Sequence, residues 1–406
     1  MDNTVKRNRI IYRFFLWALL FISLLVLTLL APTLSKPKYL SIDDFMAYWA
    51  AGKYNLSGEN PYDPQNKENL QIELGGQISN NYVPQNMLNP PWAVTFVMPF
   101  SLLSYSISRL AWLLFSIGTI LISARLFWRF YNGPPGKQWL AWLVIILFAP
   151  SILVLQVGQI TSIILFGITL FLYFTITHKN DFAAGAGLAL VVTKPQVVYI
   201  FLLALLFWVV EQRRWRILIG GIVSVLLLTL VSMIFNQQII FQYLDMLRVS
   251  YIPELATPTI GSYLRFFWLG TNKFWLQFLP TIFGGIWFVY YWSKKHRSWN
   301  WLDESPLLLL ISLLTSSYSW TYDLVILLPA VLQVTIWILS DWKHWRTILL
   351  VIIFSTINVV YLVLHKNFTD FWFGWMTPIL LIMYLALRWQ HMKLNSANTQ
   401  LQTESD

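Results

Sequence analysis

Two carboxylates stand side by side at the head of an aromatic run, Asp43-Asp44-Phe45-Met46-Ala47-Tyr48-Trp49-Ala50-Ala51-Gly52. Neighbours on a helix cannot face the same way. One of the pair therefore points into a site while the other caps the helix or meets water. A carboxylate held just above a membrane is a competent general base for an acceptor hydroxyl. Asp43 or Asp44 serves equally as the N-cap of the helix that residues 45–52 suggest. Asn60-Pro61-Tyr62-Asp63 follows a short linker later, and Asn89-Pro90-Pro91-Trp92 opens a further apolar segment with helix-starting prolines.

A second chemical signal is Thr193-Lys194-Pro195-Gln196, set between two apolar runs. An unpaired ammonium at headgroup depth is costly and marks a functional position. A lipid-linked phosphate is its natural partner, and a snorkelling lysine is the structural alternative. Gln156-Val157-Gly158-Gln159 makes a tight turn whose amides can bind sugar hydroxyls or simply satisfy the turn. Ser316-Ser317-Tyr318-Ser319-Trp320-Thr321-Tyr322-Asp323 makes another, with Asp323 either an acid group or the cap of the apolar run that follows. Arg109 and Arg265 are further candidates for a phosphate.

Other chemistries are excluded. With no cysteine there is no thiolate metal site, disulfide or Cys nucleophile. The five histidines (His178, His296, His344, His365, His391) fall in loops, four of them on one side, so no histidine metal site is expected. No phosphate-binding Walker loop, GxSxG or zinc motif occurs. An Asp-x-Asp motif is missing too, which argues against a cytosolic nucleotide-sugar donor. No cofactor is expected.

The elements that must position these residues are membrane helices. Of 406 residues, 57% are hydrophobic and 11% charged, against about 25% charged in ordinary soluble domains. Mean hydropathy is +0.58. The expected fold is an all-α integral membrane bundle of about twelve spans: 13–32, 108–130, 138–156, 158–177, 182–193, 195–211, 215–235, 273–292, 305–319, 322–340, 344–365 and 371–388. Spans 182–193 and 305–319 are short and read as broken helices. The 22 Trp and 19 Tyr gather near the ends of the runs, as interfacial belts do. The first run follows a basic start and reads as an uncleaved span rather than a signal peptide.

Residues 91–103 decide the threading. If they lie on the surface as an interfacial helix rather than crossing, the basic clusters at 6–13, 125–137, 213–216, 294–297 and 343–346 share one side. That arrangement predicts both termini in the cytoplasm. It also predicts a first extracytoplasmic loop at 33–107 with juxtamembrane helices and a second at 236–272. The net charge of +10 then reflects topology, not nucleic-acid binding. Residues 1–393 form one domain, and 394–406 read as a disordered tail.

Taken in order, Asp44-Phe45-x-x-Tyr48, Asn60-Pro61-Tyr62-Asp63, Asn89-Pro90-Pro91, Gly158-Gln159, Lys194-Pro195-Gln196 and the Ser-Trp-rich turn before Asp323 resemble glycosyltransferase family 87, a branch of the GT-C superfamily. The resemblance spans roughly residues 10 to 390. It implies a GT-C-type helical bundle with juxtamembrane helices in the first outer loop. It also implies transfer of a hexose, typically mannose, from a polyprenyl-phosphate sugar donor to a lipid-linked glycan acceptor. The transfer inverts the anomeric carbon at the extracytoplasmic face of a plasma membrane. The family's catalytic Asp maps onto Asp44, with Asp43 as a fallback, and Lys194 falls to the leaving phosphate. Tyr48, Gln159, Gln196, Tyr322 and Asp323 are then candidates for sugar or acceptor contacts. The family often carries a histidine before Asp323; here the residues are Thr321-Tyr322. Two other functions fit a chain of this composition: a flippase of lipid-linked glycans, and a membrane polymerase or ligase of whole glycans.

Overall fold

The segment at 91–103 folds as a helix too short to cross a membrane. Pro91–Ser101 has 11 residues, about 16 Å at 1.5 Å per residue, against a hydrocarbon core of roughly 30 Å. Prolines at its start pre-set the first turn. The chain then turns at once into Tyr105–Phe130, with 26 residues. The computed structural model describes residues 44–63, 65, 87–249, 255–340, 345–365 and 367–403. Asp43, the expected span 13–32 and most of 64–86 lie outside the described residues.

In chain order the helices are α1 Asp44–Leu56, α2 Pro91–Ser101, α3 Tyr105–Phe130, α4 Trp139–Leu147, α5 Ala149–Val157, α6 Thr161–Leu172, α7 Asp181–Val191 and α8 Tyr199–Gln212. They continue as α9 Trp215–Phe235, α10 Ile239–Val249, α11 Leu279–Lys295, α12 Trp301–Leu314, α13 Leu328–Ser340, α14 Trp345–Leu364 and α15 Met376–Thr403. No strand occurs among the described residues. The last helix continues to Thr403 through most of the segment read from sequence as a tail.

Four helices among the described residues are long and apolar enough to cross a membrane: Tyr105–Phe130, Trp215–Phe235, Thr321–Leu339 and Asp370–Lys393. A fifth exists if Pro135–Leu147 and Ala149–Val157, bent by 64°, form one span. The bend has a sequence cause. Pro150 can start a helix but cannot continue one, and Asn358 Oδ1 accepts the Ala149 amide at 2.7 Å where the ladder breaks. The expected spans 182–193 and 305–319 are helices of 11 and 14 residues. Most of their residues are buried against protein, which is where backbone ends are tolerated at membrane depth. On α9, by contrast, Ile219, Ile222, Leu226 and Leu230 are exposed. They recur at three- and four-residue spacing along one face, as a lipid-facing stripe requires. The protein is a multi-pass helical membrane protein.

Hydrophobic contrast does not hold such helices to one another in lipid; close packing does. A Cβ on Gly185 of α7 would collide with the Ile217 carbonyl of α9, and one on Gly220 with the Phe182 carbonyl of α7. The two backbones touch there because both residues lack a side chain.

The apolar interior has two parts. The larger is built from α3 to α9 and α11 to α15. The smaller gathers Phe45, Tyr48 and Trp49 of α1, Val94, Val97 and Met98 of α2, Trp112 of α3, and Ile160 and Ile163. This second cluster seats the two short helices on the turn at 158–161, and it places the residues that could do chemistry.

Candidate active site

The turn after α5 is the hinge point. Gly158 adopts φ 69°, ψ 33° as a left-handed cap, a conformation that favours glycine. A Cβ there would also stand 2.6 Å from Cβ of Phe45. Trp112 Nε1 donates to the Gly158 carbonyl at 2.8 Å. One turn earlier on α3, Arg109 Nη2 donates to the carbonyls of Leu155 at 3.1 Å and Gln156 at 2.6 Å. A cation at helix-terminal carbonyls is favourable. Arg109, expected from sequence at a phosphate, is buried beneath the turn and clasps the end of α5.

Gln159 is oriented by what surrounds its amide. Its Oε1 accepts the Tyr48 hydroxyl at 2.5 Å and the Ile160 amide at 3.0 Å. The NH2 group therefore faces the other way and donates to Asp44 Oδ2 at 2.8 Å, an assignment fixed by its donors. Burial and the Asp44 charge push the Tyr48 phenol pKa up, so Tyr48 remains a proton donor. Asp44 opens α1 half-buried, its carboxylate aimed at this turn.

The second arm is built on Lys194. Asn89 Nδ2 donates to the Thr193 carbonyl at 3.1 Å, and Tyr62 Oη donates to the Asn89 carbonyl at 3.1 Å. Asn60 Oδ1 in turn accepts the Tyr62 amide at 3.0 Å. The two Asn-Pro motifs thus scaffold the lysine loop. Lys194 Nζ reaches Asp323 Oδ1 at 2.6 Å and lies 4.8 Å from the centre of the Tyr322 ring. Asp323 is fully enclosed. The same Oδ1 accepts Thr161 Oγ1 at 2.6 Å, and Oδ2 accepts the Trp320 amide at 2.9 Å. Asp323 is therefore both the cap of its helix and the partner of Lys194. A buried carboxylate is tolerable only with such a set of donors.

Gln159 and Thr161 are two residues apart in one turn. The first holds Asp44 and the second holds Asp323. The carboxylate arm and the ammonium arm are thereby joined, and the Tyr322 ring lies beside Lys194, within electrostatic reach of Asp44, Asp323 and Asp370.

A glycosyltransferase assignment follows from sequence comparison. The family model of Glycosyltransferase family 87 matches residues 88–317, more than half of the chain. The chain belongs to glycosyltransferase family 87. It is similar to the alpha-(1->3)-arabinofuranosyltransferases of two Mycobacterium tuberculosis strains, CDC 1551 / Oshkosh and H37Rv. Each is 24% identical over 308 residues, covering 70% of this chain and 68% of the relative. No solved structure matches. Within the stretch matched to family 87 lie Arg109, Gln159, Lys194, Gln196 and Arg265; Asp44, Tyr48, Tyr322 and Asp323 lie outside it.

Two candidates in this glycosyltransferase support the site from further off. Arg265 Nη1 donates to Gln277 Oε1 at 2.9 Å and Nη2 to the Thr271 carbonyl at 3.1 Å. Gln277 Nε2 then donates to the Ser317 carbonyl at 2.5 Å. The arginine thus braces the start of the 316–323 turn. Gln196 contributes its carbonyl, which accepts Ser316 Oγ at 3.0 Å.

Asp370 was not singled out in the sequence. Its Oδ2 accepts the Thr321 amide at 2.8 Å. The Tyr361 hydroxyl comes to 3.4 Å of its Oδ1, and His365 stacks on Tyr361 with centroids 5.2 Å apart. The signal was present: Asp370, like Asp323, heads an apolar run. Among the described residues no three His, Asp or Glu side chains form a group that could hold a metal ion.

Proposed function

We propose that this membrane glycosyltransferase moves a sugar from a polyprenyl-phosphate donor to a hydroxyl of a lipid-linked glycan or glycolipid on the extracytoplasmic face. The acceptor oxygen attacks the anomeric carbon as the bond to the phosphate oxygen breaks. The acceptor proton passes to Asp44, and polyprenyl phosphate leaves with the bonding pair. One displacement inverts the anomeric carbon and needs no covalent nucleophile. Lys194 opposes the charge that grows on the phosphate, a stabilisation made largest in the transition state. Tyr48, Gln159, Gln196 and Tyr322 are assigned to the sugar and acceptor. Asp323 is assigned to holding Lys194. The observation that carries the proposal is the single turn whose Gln159 and Thr161 hold the two arms.

The basic clusters support termini in the cytoplasm and about twelve spans, in a plasma membrane whose lipids surround the bundle. Nucleic acid has no part in it. Family resemblance favours a hexose, mannose, as the sugar. The relatives named for arabinofuranosyl transfer favour a second donor, a polyprenyl-phosphate arabinofuranose.

The deciding experiment mixes purified protein with radiolabelled polyprenyl-phosphate-mannose or polyprenyl-phosphate-arabinofuranose and a pool of lipid acceptors, in EDTA. Label reaching a glycolipid, one sugar per product, is the expected result, and the productive donor names the sugar. Transfer of a whole glycan block would instead make the chain a polymerase or ligase. In proteoliposomes, translocation without bond formation would make it a flippase.

A further inference from the structure

The head of the Tyr322 segment carries two successive backbone N–H groups, those of Trp320 and Thr321. Neither has an intrahelical partner at a helix start. Each is taken by a carboxylate: Trp320 by Asp323, its own cap, and Thr321 by Asp370, which comes from the other side of α14. Asp370 is a poor choice on electrostatic grounds. It adds a negative charge near Asp323 and beside the place assigned to a phosphate, where like charges repel. Its hydrogen bond is therefore the reason for its presence. The bond fixes the turn from the loop that follows α14, and the turn fixes the carboxylate that grips Lys194. The loop bearing Asp370 is itself tied down, because Tyr263 Oη donates to the Phe371 carbonyl at 2.5 Å and accepts the Gly374 amide at 2.9 Å.

We propose that Asp370 is a positioning residue for donor-phosphate recognition, acting through the Thr321 amide and Asp323 to hold Lys194 where the phosphate of the lipid donor binds. This rests on the polyprenyl-phosphate reading of the site. It assigns to the loop at 367–374 a part in substrate recognition.

The test is direct binding of polyprenyl phosphate to the purified full chain in detergent by calorimetry, with thermal melting in parallel. Wild type is expected to bind. Lys194→Ala and Asp370→Ala are each expected to weaken binding by roughly tenfold to a hundredfold; each leaves a buried partner unmet and lowers the melting midpoint, so binding is measured below the midpoint of every variant. Asp370→Asn is expected to recover most of that loss, since an amide oxygen still accepts the Thr321 N–H. Asp370→Ala binding as tightly as wild type, while Lys194→Ala does not, would overturn the positioning role and leave the functional reading intact. Tighter binding by Asp370→Asn than by wild type would show that only its charge matters, and would overturn the role too. Wild-type protein that does not bind polyprenyl phosphate would remove the functional reading and this inference with it.

Discussion

Helix α12 connects two buried polar clusters that use charge differently. At its start Glu304 accepts Arg388 Nη2 at 3.1 Å and the Tyr291 hydroxyl, while Tyr384 Oη bonds Gln333 Oε1 at 2.8 Å nearby. Beyond its other end stand Lys194, Asp323 and Asp370. In the first cluster a planar guanidinium and a phenol both serve one carboxylate, and the charge is closed on itself. In the second the cation is a lysine. An ammonium carries three donors, and Asp323 takes one of them. Each cluster contains a buried ion pair, so burial of charge alone does not mark a site. The kind of cation and the donors it has to spare separate a clasp from a binding group.

Three single substitutions and one double change press on that contrast. Asp44→Asn removes the proposed base while keeping the shape and an acceptor for Gln159. Label transfer from the lipid donor should fall by about 10²- to 10⁴-fold, the usual worth of general-base catalysis, with the melting curve unmoved. Transfer near wild-type rate would end the assignment of Asp44. Glu304→Gln should act in the opposite register. It strands Arg388, and removing one partner of a buried pair costs about 3–5 kcal/mol. Denaturant or thermal unfolding should show that loss, while turnover per folded molecule stays the same. The double change Glu304→Leu with Arg388→Met should restore much of the stability; if it does not, the cluster does more than close its own charge. The smallest effect is expected at Arg214, which pairs with Asp181 where both are partly exposed. Arg214→Ala should shift stability by no more than about 1 kcal/mol, and a larger shift would put that pair with the buried class.

Much of this was legible in the sequence. Short motifs placed Asp44, Gln159, Lys194 and Asp323 at one end of a helical bundle, and the structure brings these four together with Tyr48 and Tyr322. The short helix at 91–101 was legible from its proline start. What hydropathy yields, however, is depth along the bundle axis. It does not say where around the bundle a residue lies. Arg109 and Arg265 have the right depth, yet one clasps helix carbonyls and the other a glutamine. Asp370 has the right depth as well, but its partner is a backbone amide, which leaves no trace in residue type. The bend at 148–149 was hidden for a related reason: an apolar run has the same composition straight or folded, and only Pro150 hinted at it.

The contact between α7 and α9 bears on how this protein tolerates change. Gly185 and Gly220 sit where two backbones meet, and every other residue adds an atom that must collide. An exhaustive substitution library selected for transfer would show both positions as blank columns, as firmly as at Asp44. Yet neither belongs to the candidate site. A map of intolerance would therefore trace two superimposed patterns, one of steric closure and one of reactivity. Only a separate screen for the amount of folded protein in the membrane would pull them apart, clearing Asp44 and keeping the glycines.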